Sequence, residues 1–214
     1  MKRLLLLVPL LASAQFHRAG QDREIRYWLL DPASHQFRIS HDFTVTRAGQ
    51  KSVHSFVRAG STVAPDSKMF NLDTGEPLAT HLVSGKAVNA LGYYATPTDP
   101  NSVVVQGDLP RPVAEGESVR IRVEETYTDP VGYTLDRGEL VWTRTLGRPV
   151  NFVTLPEGWM LSSVNTPAVI AAGWPGPRNP ALHQHPQRRT GGDHPRAPSA
   201  ALNRAARLRQ MNGC

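Results

Sequence analysis

The residues of this chain that could support chemistry are carboxylates in turns, scattered histidines and paired aromatic residues. Glu124 and Glu125 are adjacent carboxylates, but neighbours on a strand point to opposite faces, so they do not by themselves form a general acid and base. The sequence contains no Gly-x-Ser-x-Gly elbow and no glycine-rich phosphate loop. We therefore predict no catalytic residue, and carboxylates that meet only after folding are the alternative.

The histidines do not show a metal-ligand spacing. Zinc needs three or four converging ligands, and the sequence has no His-Glu-x-x-His motif and no paired cysteines. The single cysteine, Cys214, excludes an intramolecular disulfide. His183, His185 and His194 leave open only a weak site in the C-terminal segment. We predict no metal site and no cofactor. The other histidines considered lie in or near predicted strands: His35, His41, His54 and His81.

Paired aromatic residues are the candidates for ligand binding. Tyr93 and Tyr94 follow Gly92 in a predicted loop, and Trp28 follows Tyr27 in the sequence. Exposed aromatic side chains can form a platform for a sugar or a peptide. We therefore assign ligand binding to Tyr93, Tyr94 and Trp28, whereas Trp142 and Trp159 are more simply interpreted as core residues.

The elements that must position these residues have the two-residue period of strands. From Gln36 to Arg47 apolar and polar residues alternate, and Val119–Val123 repeats the pattern. Further strands are predicted at 140–144, 151–155 and 160–164, separated by Gly and Pro turns. The fold class is therefore all-β, an antiparallel β-sandwich. The alternation directs Glu125 inward, and we expect a bulge at Glu124-Glu125 to relieve this.

The N-terminus has the features of a secretory signal peptide. Residues 1–3 are cationic at two positions, 4–11 are apolar, and 12–14 read Ala-Ser-Ala. We predict cleavage after Ala14, a β-sandwich domain over residues 15–170, and a secreted or periplasmic protein. The apolar run is too short to span a bilayer, which needs about 20 residues, so no membrane span is expected after cleavage.

Residues 171–214 differ in composition from the domain. They contain seven arginines, six prolines and one acid, and no Val, Ile, Phe or Tyr. This segment therefore accounts for the whole net charge of +6. We predict a disordered basic tail in which only Leu202–Met211 could form a short helix.

Three interpretations of this tail are open: a basic arm that contacts phosphate or anionic lipid, an inert tail, and a shift of reading frame, which we favour. Codons compatible with residues 173–195, read one nucleotide later, can encode Phe-Ile-Asn-Thr-Arg-Asn-Asp-Glu-Leu-Ala-Val-Thr-Ile-Arg. That text is typical of a strand, a turn and a second strand.

Residues 124–130 (Glu-Glu-Thr-Tyr-Thr-Asp-Pro), 144–148 (Arg-Thr-Leu-Gly-Arg) and 155–159 (Leu-Pro-Glu-Gly-Trp) carry a resemblance to a known family. On these motifs, residues 23–170 resemble the N-terminal β-sandwich of gluzincin-type zinc aminopeptidases and sandwich domains of uncharacterised exported bacterial proteins. The metal motif of the peptidases is missing here, so no catalytic residue carries over.

Together these features favour an exported β-sandwich that binds or scaffolds an unknown protein or glycan partner without catalysis. The alternative is a small exported hydrolase of peptides or glycans. Nucleic acid is not the expected partner because the charge is confined to the tail, although a basic-tailed surface binder is a third hypothesis.

Overall fold

The structure is a computed structural model that describes residues 18–170 and 204–210. The predicted signal peptide and most of the predicted tail lie outside the described residues. In chain order the elements are β1 (Glu24–Leu29), a 3-10 turn (Pro32–Ser34), β2 (Gln36–Val45), β3 (Ser52–Phe56), β4 (Thr62–Val63), β5 (Lys68–Asn71), β6 (Ala79–Ser84), α1 (Gly85–Ala90), β7 (Val103–Asp108), β8 (Val119–Thr128), β9 (Tyr133–Asp136), β10 (Glu139–Arg144), β11 (Val150–Thr154), β12 (Trp159–Val164) and β13 (Arg204–Gln210).

The chain is nearly all β, which confirms the predicted fold class. It divides into two compact units. Of the described residues, unit 1 contains 18–23, His41–Phe56 and Lys68–Val123, and unit 2 contains Glu24–Ser40, Val57–Ser67, 124–170 and 204–210. No helix in the described ranges has the length and apolar character needed to cross a membrane.

Unit 1 is built around a three-stranded antiparallel sheet in the order β3-β7-β6. The sheet is closely packed at Gly107 of β7, against the side chain of Met69 in β5. A Cβ atom added at Gly107 would lie 2.7 Å from the Met69 sulfur, so a larger residue at this position in β7 would require the Met69 side chain to shift. The helix α1 follows β6 without a linker because the Ser84 hydroxyl caps its first turn, accepting a hydrogen bond from the Ala87 amide.

Unit 2 contains strands of two sheets. One has the order β11-β1-β2-β8-β4, and the other has the order β12-β13-β10-β9. The strands β2 and β8 contribute residues 36–40 and 124–128 to this unit. Its buried apolar side chains are mainly aromatic or large aliphatic: Tyr27, Leu29, Phe37, Ile39, Tyr127, Tyr133, Leu140 and Trp142.

A buried arginine lies within this aromatic core. Arg144 is only 8% exposed, and its guanidinium carbon lies 4.7 Å from the ring centre of Phe37, 5.4 Å from that of Tyr127 and 5.8 Å from that of Tyr27. A carboxylate oxygen of Asp129 lies 3.8 Å from the guanidinium. Ring faces carry partial negative charge, so the three rings and Asp129 together compensate the buried cation.

The predicted bulge at Glu124-Glu125 is wrong. The pattern of alternate burial continues without a break along β8 from Ile121 through Glu125 to Tyr127. Glu125 does point inward, as expected, and its Oε2 accepts a hydrogen bond of 3.1 Å from the Tyr127 hydroxyl. The strand tolerates this inward carboxylate because a polar group on the same face hydrogen-bonds to it.

Strand direction is only partly as expected. The pairs β1/β11, β10/β13 and β12/β13 are parallel, not antiparallel. Parallel neighbours need long connections, and each of these pairs joins segments far apart in sequence, where no tight turn dictates the strand direction. The segment Leu202–Met211, considered above as the one part of the tail that could form a short helix, instead contains strand β13 (Arg204–Gln210), which lies between β10 and β12. Backbone pairing on both sides there outweighs the helical preference of an Ala- and Arg-rich segment.

Candidate functional site

The candidate site lies in unit 1 on one face of the β3-β7-β6 sheet. Side chains alternate across a strand, so Ser52, His54 and Phe56 of β3 share a face. The antiparallel register sets them opposite Asp108, Gln106 and Val104 of β7, which therefore share that face.

A loop after α1 brings two tyrosines to this face. The Asn89 side chain donates to the Thr98 carbonyl at 2.8 Å and accepts from the Thr98 amide at 3.0 Å. The Gly85 amide donates to the Ser102 carbonyl at 2.8 Å. These bonds join Thr98 and Ser102, which lie after the two tyrosines, to α1. The loop that carries Tyr93 and Tyr94 is therefore anchored to the helix.

A hydrogen-bonded chain runs from Tyr94 to Asp108, and the carboxylate determines its direction. Because a carboxylate only accepts, the Gln106 amide nitrogen donates to Asp108 Oδ1 at 2.9 Å. The Gln106 oxygen then faces His54, so His54 Nε2 donates to it at 3.2 Å. His54 Nδ1 is consequently unprotonated and accepts from the Tyr94 hydroxyl at 3.1 Å.

Three aromatic side chains lie around the His54 end of this hydrogen-bonded chain. We call Phe56, Tyr93 and Tyr94 the aromatic surface. Phe56 is 40% exposed and Tyr94 is 38% exposed, with ring centres 5.2 Å apart in an edge-to-face arrangement. Tyr93 is half-buried. Its ring lies beneath the Arg47 guanidinium at 5.8 Å, and its hydroxyl accepts from the Lys51 amide. The exposed rings are therefore Phe56 and Tyr94, while Tyr93 supports them.

Burial shifts the proton affinities of the two ends of the Tyr94–His54 contact. Desolvation lowers the pKa of His54 from its ordinary value, although its bond to Gln106 and the charge of Asp108 act in the opposite direction. Desolvation, with a smaller effect of Tyr93, raises the pKa of Tyr94 to about 12. At neutral pH both groups are thus uncharged, and the hydrogen-bond directions given above hold.

The lowered pKa of His54 predicts a loss of stability in acid. The unfolded chain binds a proton at His54 near its ordinary pKa of 6.5, whereas the folded chain binds it only at lower pH. This contribution to stability is therefore complete above the unfolded pKa and is lost as pH falls from there through the folded pKa. Urea unfolding at a series of pH values should show this decline in the wild type and a flatter one in His54→Gln.

Met160→Ala serves as the control, because it removes an exposed apolar side chain of unit 2 and no titratable group, so it should leave the slope of stability against pH unchanged. Equal slopes for His54→Gln and the wild type would contradict the prediction.

A cleft of about 300 Å³ adjoins the hydrogen-bonded chain at its Asp108 end. Its walls are apolar at Pro77, Leu78 and Leu109, and two carboxylates, Glu76 and Asp108, line it. Asp108 is therefore shared between the cleft and the hydrogen-bonded chain. Within the described residues, no group of three His, Cys, Asp or Glu side chains could hold a metal ion.

The structure brings together two of the three residues assigned to ligand binding. Tyr93 and Tyr94 both contact His54, with ring centres at 6.1 Å and 5.7 Å. Trp28 belongs to unit 2, where it is half-buried on β1 opposite Thr154. Sequence reasoning did not assign His54, Gln106, Asp108 or Phe56 to the site. The alternation of Phe56 and His54 with Val53 and Ser55 was the available signal, but both faces of that strand are apolar enough to be interpreted as core.

Comparison with known proteins finds structural similarity without a family match. No family model and no curated protein matches the chain. An M1 zinc metallopeptidase from Deinococcus radiodurans is 16% identical over 51% of this chain and 20% of its own, with a TM-score of 0.30. A two-domain M1 zinc metallopeptidase mutant bound to L-tryptophan is 15% identical over 56% of this chain and 28% of its own, with a TM-score of 0.31. The weak similarity to this peptidase group that the sequence predicted is thus confirmed for about half of the chain, which spans well under a third of either metallopeptidase.

Proposed function

We propose that this protein is an exported binding module without catalysis of its own, and that its ligand binds on the aromatic surface. The observation that supports this is the pair of exposed rings, Phe56 and Tyr94, held in place by a chain of internal hydrogen bonds. Large apolar groups exposed side by side are typical of interaction sites.

The rigidity of the aromatic surface favours tight binding. The Tyr94 hydroxyl is bonded to His54, and the loop on which Tyr94 lies is anchored to α1 through Asn89. Side chains that are already ordered lose little conformational entropy when a ligand binds. Aromatic residues with this property commonly account for most of the free energy of an interface.

Tyr94→Ala is expected to weaken ligand binding at least about tenfold, or ~1.4 kcal/mol. The measurement is biolayer interferometry of the purified full chain against immobilised oligosaccharides and against a displayed peptide library. Met160→Ala is the matched control, because Met160 is an exposed apolar residue of unit 2 and should leave affinity unchanged. Equal losses of affinity in Tyr94→Ala and Met160→Ala, or an affinity that Tyr94→Ala leaves unchanged, would overturn the proposal.

One observation favours the alternative of a small hydrolase. Glu76 and Asp108 line the same cleft, and two carboxylates at one cleft are the minimum for general acid–base hydrolysis. Under this alternative the purified chain turns over a peptide or glycan substrate, and Asp108→Asn abolishes turnover. Under the binding-module proposal the chain shows no turnover above that of Asp108→Asn.

Export and an altered reading frame belong to the same proposal. Export rests on the pattern of residues 1–14, and a mature N-terminus at Gln15, determined by mass spectrometry of the secreted protein, would support it. The frame shift is supported by the composition of residues 171–214 and by the codons that the shifted text permits. Coding DNA incompatible with the shifted text around residues 173–195 would remove it.

A further inference from the structure

The direction of the hydrogen-bonded chain determines what the aromatic surface offers to a ligand. The Tyr94 hydroxyl hydrogen is directed to His54 Nδ1, so only the lone pairs of the Tyr94 oxygen remain available to a ligand. A hydroxyl whose hydrogen is already engaged acts towards other molecules as an acceptor.

The second polar group of this face is also an acceptor. Asp108 lies two residues beyond Gln106 on β7, about 7 Å along the strand. Its side chain is 48% exposed, Oδ1 accepts from Gln106, and Oδ2 lies 3.7 Å from His81 Nδ1. The exposed part of the face therefore combines flat aromatic rings with two acceptors, Tyr94 Oη and the Asp108 carboxylate. The half-exposed imidazole of His81, opposite Gln106, lies beside Asp108 on the same face.

On these grounds, which rest on the proposed function, we propose that the ligand is a neutral saccharide. One apolar face of a sugar ring packs on Tyr94 beside Phe56. A hydroxyl group of this ring donates a hydrogen bond to Tyr94 Oη, and a hydroxyl group of an adjoining sugar of the same oligosaccharide donates to Asp108. A sugar hydroxyl can always supply a donor, whereas an extended peptide brings a backbone carbonyl acceptor for each amide donor. Acceptors beside an aromatic plane thus suit a polyol better than a peptide backbone.

The test uses cellohexaose, maltohexaose and chitohexaose as probes, with isothermal titration calorimetry of the full chain at neutral pH. At least one probe should bind. Tyr94→Phe retains the ring and removes the acceptor, so it should weaken that binding about fivefold. Asp108→Asn retains an oxygen for Gln106 and replaces the other by a donor, so it should also weaken binding. Tyr94→Ala should weaken it more than either.

Tyr133→Phe is the matched control. It deletes a tyrosine hydroxyl of unit 2, which donates to the Leu30 carbonyl, and it should lower stability without changing saccharide affinity. A peptide ligand that depends on Tyr94, with no hexaose bound, would overturn the saccharide assignment and leave the binding-module proposal standing. If neither a hexaose nor a peptide bound, or if hexaose binding were unaffected by Tyr94→Ala, the saccharide assignment and the binding-module proposal would both be overturned.

Discussion

Replacing Gly85 by alanine is expected to destabilise the protein by about 3 kcal/mol, the upper part of the range for overpacking, and to abolish binding at the aromatic surface. A Cβ atom at this position would overlap the Asp99 carbonyl oxygen, and it would lie 2.6 Å from the Ser102 hydroxyl oxygen and 2.9 Å from a Thr98 methyl group. The closest of these atoms belongs to the backbone, so no rotamer change relieves the overlap.

The same contacts connect this glycine to the candidate site. Residues 98–102 end the loop that carries Tyr94, and the Gly85 and Lys86 amides hold this end through the Ser102 and Pro100 carbonyls. Displacing it would move Tyr94 away from His54. Chemical denaturation measures the loss of stability, and titration with the ligand identified for the wild type measures the loss of binding.

Gly147→Ala is the control for this substitution. Gly147 has open space around its Cβ position and no positive φ, so alanine there should change stability by less than about 0.5 kcal/mol. If Gly85→Ala proved as mild as Gly147→Ala, the close approach of α1 to the loop would be incorrect.

The second large effect is expected in unit 2, where Arg144→Met should destabilise the fold by about 3 kcal/mol. The substitution keeps an unbranched side chain but removes the cation that lies over Phe37 and beside Asp129. Asp129 is itself buried, and it would retain only the Gly132 amide as a partner among the bonds described for its carboxylate. Most of the loss therefore comes from a buried carboxylate that is no longer compensated, and urea denaturation measures it.

Two further variants separate this cause from simple loss of side-chain volume. Arg111→Met removes an exposed arginine paired with Glu117 at 2.7 Å, and an exposed pair contributes at most about 1 kcal/mol. Adding Asp129→Asn to Arg144→Met should recover part of the stability because the uncompensated charge disappears. No recovery in the double variant would show that packing on the rings, not the charge, is what Arg144 supplies.

Alternation along single strands was readable from the sequence. Each side chain's face depends only on its position within its own strand, which is why β8 and the inward direction of Glu125 were predicted correctly. In β2 the expected burial holds at Phe37 and Ile39, whereas further along Asp42 is buried and Phe43 only half-buried. The bulge was not predicted correctly, because whether a buried carboxylate needs relief depends on a partner, here Tyr127, being within hydrogen-bond distance.

The candidate site shows the same division. The sequence by itself determined that Tyr93 and Tyr94 follow a turn and that the charge is concentrated in residues 171–214. Only the tertiary structure decided that Tyr94 meets His54, forty residues earlier in the chain, and that Gln106 and Asp108 extend the contact. It also decided that β11 pairs in parallel with β1, and β13 with β10 and β12. These outcomes depend on which distant segments pack together, and the free energy of such contacts belongs to the pairs, not to either segment alone.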